Sequence, residues 1–241
     1  MIEQTKGIVL HQIKYTDSGI IAQLYTRKYG RRSFLIRGTR NKKAGRHTVF
    51  LQPMFILDLV AYNKESRSMQ TIKEYSVSYT PGDIHSNIKK SSVAIFLGEV
   101  LTSVLREESP NEDLFDFIEK SIIYFDRCKK EYANFHIAFL AGLSSYLGFE
   151  PAKRSSAGDH FFDMMNGIFV PVPPLNGSYA SREVSQVLSA FFSSSYEQVK
   201  NISLTGTFRN EVLETLVNYY SLHLPGLKKI RSLEVLKEVF G

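Results

Sequence analysis

A chain of 241 residues with 43% hydrophobic and 22% charged residues has the composition of a folded globular protein, and its length fits two small domains or one large one. No window approaches 18 consecutive apolar residues, and Met1-Ile2-Glu3-Gln4-Thr5-Lys6 lacks the apolar stretch of a secretory signal, so the expected location is cytoplasmic, with no membrane partner. A single cysteine, Cys128, excludes an internal disulfide and any multi-cysteine zinc or iron–sulfur site.

The formal net charge of +6 is unevenly spread. Residues 1–80 hold 14 Lys and Arg against five acids, a net +9, which leaves −3 for the remainder of the chain. The basic character therefore belongs to the first third alone, and the two parts face different partners.

That first third reads as five strands, at about residues 8–15, 20–26, 33–36, 55–62 and 71–79. Each is short, rich in β-branched and aromatic residues, and bounded by Gly, Asp, Asn or Ser. In the fourth, Phe55, Leu57 and Leu59 share one face and Ile56, Asp58 and Val60 the other. Five strands in about 80 residues predict a small barrel or sandwich. Gly30, Gly38 and Gly45 sit between strands, where a positive φ is useful.

At residues 80–83 the hydrophobic period changes from two to 3.6. Val93, Leu97, Val100, Leu101 and Val104 form one stripe of an amphipathic helix. Ser109-Pro110-Asn111-Glu112 has the form of a capping box that opens a second helix, with Leu114, Ile118 and Phe125 on its buried face. A third runs from about residue 131 to 147, where Gly148 stops it. Residues 149–180, with four prolines and three glycines, form an irregular segment with a short hairpin at Asn166-Gly167. Helical patterning returns at about 181–192, 207–224 and 232–240. The fold class is α+β: a barrel over 1–80, then a helical bundle over 81–241 interrupted at 149–180.

Between Asp17 and Asp58 there is no acid, and Arg27, Lys28, Arg31, Arg32, Arg37, Arg40, Lys42, Lys43 and Arg46 crowd into this stretch. A solvated face normally mixes both signs, whereas bases that neutralise phosphates release condensed counterions and bind nucleic acid without sequence preference. Tyr25, Tyr29, Phe34 and Phe50 interleave with the bases, as base stacking in a single-strand groove requires, although each taken alone also suits a barrel core.

No catalytic constellation emerges. The chain has no Walker loop, dinucleotide-binding glycine fingerprint, nucleophile elbow or His-Glu-x-x-His motif, and its six histidines are scattered. His136 reads as a core histidine, Asp159, His160 and Asp163 as a surface turn, and Cys128 as structural. No enzyme activity and no cofactor are expected.

Ile8-Val9-Leu10, residues 15–20 and 24–30, Phe34-Leu35-Ile36-Arg37-Gly38-Thr39-Arg40 and Leu51-Gln52-Pro53 together resemble the RecO family of bacterial recombination mediators. Further matches lie at 105–108 with 111–115, at 135–151, and at 219–224 with 230–232. The resemblance implies an oligonucleotide-binding (OB) barrel followed by a helical domain, in a nucleoid-associated DNA repair protein. It also implies binding of single- and double-stranded DNA, annealing of complementary strands, contact with the C-terminal tail of the single-strand DNA-binding protein, and, with RecR, loading of RecA. An adaptor whose basic barrel docks RNA or an acidic protein is the alternative. For the acidic, apolar tail, Tyr124 with Arg127, Lys129 and Lys130 offers a ring beside a cation cluster, lined further by Phe125 and Tyr132; Lys228, Lys229 and Arg231 form a second cluster. Many members carry a four-cysteine zinc module where residues 149–180 have no cysteine, so zinc is not expected here, and packing by Phe161, Phe162, Met164, Ile168 and Phe169 is expected to hold the segment.

Overall fold

Five strands close into a barrel: β1 (Ile2–Thr16), β2 (Gly19–Thr26), β3 (Gly30–Arg37), β4 (Ile56–Tyr62) and β5 (Met69–Tyr79), in the order β1-β2-β3-β5-β4. The computed structural model describes residues 2–16, 19–37, 48–62, 68–105 and 109–241. All pairings are antiparallel except the short β3–β5 contact that closes the barrel. Each predicted strand is present, and β1 extends six residues further toward the N-terminus. Its polar start, Glu3-Gln4-Thr5-Lys6, alternates too little to be read as a strand, but it is held by continuous pairing with β4.

The barrel interior is filled by Val9, Ala22, Leu24, Phe34, Ile36, Leu51, Phe55, Leu57, Leu59 and Ala61. Because side chains alternate along a strand, this inner set assigns Ile13, Ile21, Tyr25, Arg31 and Leu35 to the outer face. Gly30 has φ +62°, which lets the β2–β3 turn close; Thr26 Oγ1 receives the Tyr29 N–H and donates to the Gly30 carbonyl.

Three helices share a unit with the barrel: α1 (Gly82–Ser86), α2 (Ile88–Val104) and α3 (Glu112–Arg127). The chain divides into Met1–Arg127 with Ile230–Leu233, and Cys128–Lys229 with Glu234–Gly241. The change of period at residue 80 thus marks where the barrel ends, not where its packing ends. At Gly98, α2 comes so close to β1 that a Cβ would stand 2.8 Å from the Leu10 carbonyl oxygen. The N-cap of α3 is Asn111, whose Oδ1 accepts the Leu114 N–H at 2.9 Å. The Ser109 capping box is therefore displaced by two residues, because Asn111 is itself a strong capping residue. The fully buried Lys90 donates to the Phe125 and Asp126 carbonyls, satisfying the end of α3, and pairs with Asp83 at 2.6 Å.

The second unit holds α4 (Phe135–Tyr146), the hairpin β6 (Phe161–Asp163) and β7 (Ile168–Val170), α5 (Arg182–Ser193), the single turn α6 (Tyr196–Val199) and α7 (Gly206–His223). The last helix, α8 (Ser232–Phe240), begins on residues of the first unit and continues in the second. Helix α4 starts at Phe135 rather than near 131, where Glu131 adopts φ +60°. It ends as expected at Gly148, φ +82°: Phe149 N–H bonds to the Ser144 carbonyl and Gly148 N–H to Ser145. Tyr219 and Tyr220 stand in the core, donating to the Phe149 and Leu140 carbonyls, each at 2.6 Å.

Candidate nucleic-acid interface

The five clustered bases that lie among the described residues do not gather at one place. Arg27 and Lys28 lie in the β2–β3 turn and Arg31 and Arg32 begin β3, whereas Arg37 ends it. Six residues of extended chain, about 20 Å, separate Arg31 from Arg37. At the turn end, the outer side of the barrel is occupied. Arg27 donates from Nε to Glu112 at 2.9 Å, and its Nη1 lies 2.8 Å from Asp116. Its guanidinium stands 5.8 Å from the Phe115 ring centroid, and the Glu112 hydrogen bond raises its pKa further. Lys6 pairs with Glu119 at 2.8 Å. Glu112, Asp116 and Glu119 are spaced i, i+4 and i+7 on α3, one stripe facing the barrel. Arg31 Nη1 donates to the Thr102 carbonyl at 3.0 Å, in the last turn of α2, where the helix dipole favours a cation. Arg32 is half-buried on the inner-facing side of β3 opposite Leu24, and Lys28 is exposed.

The interleaved aromatics go mostly to packing. Phe34 is in the core, Phe50 packs on Phe55 with centroids 5.7 Å apart, and Tyr25 is buried against Phe115 at 6.2 Å. Tyr29 hydrogen-bonds Glu3.

The other end of the barrel is differently furnished. There Arg37 pairs with Gly19 across β2–β3, and Gly19 in turn with Thr16 across β1–β2. Arg40, Lys42, Lys43 and Arg46, with Gly38 and Gly45, fall outside the described residues, in the stretch that leaves β3 at this end. One row inward, Ile13, Ile21 and Leu35 pair side by side on the outer face. Ile13 is 48% exposed, and Tyr15, in the bulge between Lys14 and Thr16, is 56% exposed.

Comparison with known proteins decides the family. Residues 1–80 match the model "Recombination protein O N terminal", and residues 85–234 match "Recombination protein O C terminal". The chain belongs to the RecO family. It is 37% identical over 241 residues to a DNA repair protein RecO of Phocaeicola vulgatus and 38% over 242 residues to one of Bacteroides fragilis. A Porphyromonas gingivalis relative of the same name is 34% identical over 244 residues; in all three cases both chains are covered in full. The barrel coincides with the N-terminal RecO model, which agrees with the OB barrel that the sequence predicts.

As a RecO-family chain it departs from a zinc-bearing plan over residues 149–180. This segment has no cysteine and one histidine, His160, so the donors do not fit a structural zinc. Among the described residues no group of three or more His, Cys, Asp and Glu side chains could hold a metal ion. Asp159 closes an exposed turn over residues 156–159, as the surface-turn reading expects, with its own carboxylate turned in to accept from Ser155 and Ser156, whereas Asp163 is buried at the end of β6 and ties the hairpin together. Asp163 Oδ1 accepts the Met165 and Asn166 N–H groups and the Asn176 amide, while Oδ2 accepts the Asn166 amide at 2.8 Å. Burial pushes its pKa up, but the hydrogen bonds from Asn166 and Asn176 outweigh this and hold it below the ordinary carboxylate value. Phe162 and Phe169 pack inward against one another, with Phe192 and Tyr219 on Phe162, while Ile168 faces outward.

Of the residues singled out for a partner's tail, Tyr124 and Arg127 sit on the last turn of α3, in the first unit, and Lys129 and Lys130 belong to the second. Phe125 is buried and cannot line a pocket there. Cys128 Sγ donates to the Lys130 carbonyl. No helix among the described residues is long and apolar enough to cross a membrane.

Proposed function

We propose that this chain is a non-enzymatic recombination mediator in DNA repair, binding single- and double-stranded DNA through the basic stretch that begins with Arg37 at the end of β3 and continues in sequence with Arg40, Lys42, Lys43 and Arg46. The observation that carries this reading is the acid-free basic run that leaves β3 at that end, in a chain matched to the RecO family along its whole length. A run of bases with no acid among them in the sequence lends itself to phosphate contacts and counterion release. Arg27 and Arg31, committed to α3 and α2, serve the fold instead.

Such a surface also suits annealing, since cations that neutralise two strands lower their mutual repulsion. The RecO membership further supports partnership with RecR in loading RecA onto DNA coated with single-strand DNA-binding protein, and capture of that protein's acidic C-terminal tail. Tyr124, Arg127, Lys129 and Lys130 remain the residues proposed for the tail. Charge reversal at Arg127, Lys129 and Lys130 should weaken tail-peptide binding; unchanged affinity moves the site to Lys228, Lys229 and Arg231. The test of the primary reading is a titration with labelled single-stranded DNA at two salt concentrations. Binding that weakens with salt is expected, and binding indifferent to salt would contradict it.

A further inference from the structure

Residues 164–181 contain no Lys, Arg, Asp, Glu or His, in a chain of which 22% is charged. Five of the fifteen exposed large apolar side chains among the described residues fall in this stretch: Met165, Ile168, Val172, Leu175 and Tyr179. Apolar surface concentrated in this way marks a contact site. Leu175 is fully exposed and Val172 is 67% exposed, and with the exposed Pro171 and Pro173 they form a ridge that follows directly on β7. The ridge is held in place. The Asn176 amide donates to Asp163 at 3.1 Å, Asn176 Oδ1 accepts the Ser178 N–H at 2.8 Å, and Gly177, with φ +71°, donates to the Pro174 carbonyl. The returning chain is pinned to β6 by the Ala180 N–H on the Phe162 carbonyl and by the bridge between Asp163 and Tyr179. This return sets the exposed Tyr179 edge-on to Phe161, with centroids 5.9 Å apart. One braced segment therefore presents both a proline-rich aliphatic ridge and an aromatic ring.

We infer that this segment is a contact surface for a second copy of this chain, the ridge of each copy packing on Tyr179 of the other. The occupant follows from the chemistry of the segment itself. Proline and aliphatic side chains pack on exposed rings, as in the aromatic-lined grooves that read proline-rich segments. A two-fold contact requires one surface to carry both halves of each pair, and this segment carries ridge and ring together. Charge points the same way. Two copies, each with a formal net charge of +6, repel one another, and a stretch without charged side chains lets them meet with no like charges opposed. Arg182, the first charge after the stretch, stands over Phe161 at 5.9 Å from its centroid. Nucleic acid finds no cation among residues 164–181 to neutralise its phosphates. Prolines at 171, 173 and 174 fix three φ angles, and the Asp163 and Asn176 bonds hold the turn, so little conformational freedom is lost on contact. A ridge of five residues covers less than the roughly 800 Å² per partner of a standard interface, so the dimer is weak, with a Kd of roughly tens to hundreds of micromolar.

Sedimentation velocity on the full-length protein without DNA, over concentrations that bracket this Kd, tests the proposal. The wild type should shift from monomer toward dimer as concentration rises, and added salt should leave the shift in place or enlarge it, because the contact is apolar. The double variant Val172→Glu, Leu175→Glu should associate at least about tenfold more weakly, the order of one interface hot spot with a charge forced into it. Tyr179→Ala should weaken association as well, since it removes the other half of the same contact. All three side chains are exposed, and an unchanged circular dichroism spectrum confirms that the variants fold. A wild type that stays monomeric at every concentration would overturn the proposal and leave the ridge to a different protein. Dimers that survive both variants, or that dissociate as salt is raised, would overturn it too, because the copies would then meet elsewhere or through charged surfaces.

Discussion

Arg27 donates a hydrogen bond from Nε to Glu112 Oε2 at 2.9 Å, and this contact removes one cation from the basic run that the sequence displays. With Asp116 on the same guanidinium, the charge is already neutralised within the molecule. Arg27→Ala should therefore change single-stranded DNA affinity by less than about threefold, a fraction of what a phosphate-contacting base is worth. It should lower the thermal midpoint, because Glu112 and Asp116 lose their partner. DNA affinity falling as far as it does for a loop variant would show that Arg27 exchanges α3 for phosphate.

Gly98 marks the closest approach of α2 to β1. Gly98→Ala would favour the helix by about 0.5 to 1 kcal/mol through chain entropy. The added Cβ, however, would meet the Leu10 carbonyl at 2.8 Å and Pro53 Cβ at 3.2 Å, neither of which is a flexible side-chain end. Overpacking of this kind costs about 1 to 3 kcal/mol, so net destabilisation is expected in urea unfolding. A stabilised variant would mean that α2 can move off the barrel freely.

Much of this architecture is legible in the sequence, for physical reasons that also explain the gaps. The alternation in β4 and the 3.6 period of α2 reflect burial of one face, and Gly148 announces the end of α4 because only a residue tolerant of φ +82° closes that turn. What the sequence hides is pairing between distant residues. Nine bases adjacent in sequence read as one patch, but a strand of eight residues carries Arg31 and Arg37 to opposite ends of a barrel. The acids that claim Arg27 and Lys6 lie more than 80 residues away. Tyr25 and Phe34 attract attention by sitting among bases but are buried, whereas Tyr15, which precedes them, is an exposed ring. Its β-bulge leaves no local signal. The short α1 and α6 escape because one turn is too brief to show a period.

His136 sets a pH dependence of stability. It is buried in α4, and desolvation, with a smaller contribution from the positive Arg209, pushes its pKa down to about 3 from an ordinary 6.5. A depressed histidine is neutral in the folded state and protonates first in the unfolded chain. Its contribution is therefore fully present above pH 6.5 and is lost as pH falls from there toward 3. At pH 5 the loss is about 2 kcal/mol. Denaturant midpoints from pH 7.5 to 5 should fall for the wild type and flatten in His136→Leu. Equal slopes in the two proteins would contradict the assignment.

Asp163 is expected to hold the β6–β7 segment in place of metal ligands. Asp163→Ala leaves the Met165 and Asn166 N–H groups and two side-chain amides without their acceptor, a cost of about 2 to 4 kcal/mol where these remain buried. Hydrogen exchange should show residues 161–170 losing protection in the variant before the barrel does. Unaltered exchange there would mean that the Phe162 and Phe169 packing suffices by itself.

The central claim is that DNA affinity resides at the β3 exit, and simultaneous charge reversal of Arg37, Arg40, Lys42 and Lys43 to Glu tests it most directly. With three to five phosphates met at once, log K for the wild type on single-stranded DNA should fall against log salt with a slope of about −2 to −3.5. The fourfold variant should show no measurable binding at the same salt while keeping the wild-type circular dichroism spectrum and unfolding midpoint. A folded variant that binds single-stranded DNA with undiminished affinity and an unchanged salt slope would contradict the account.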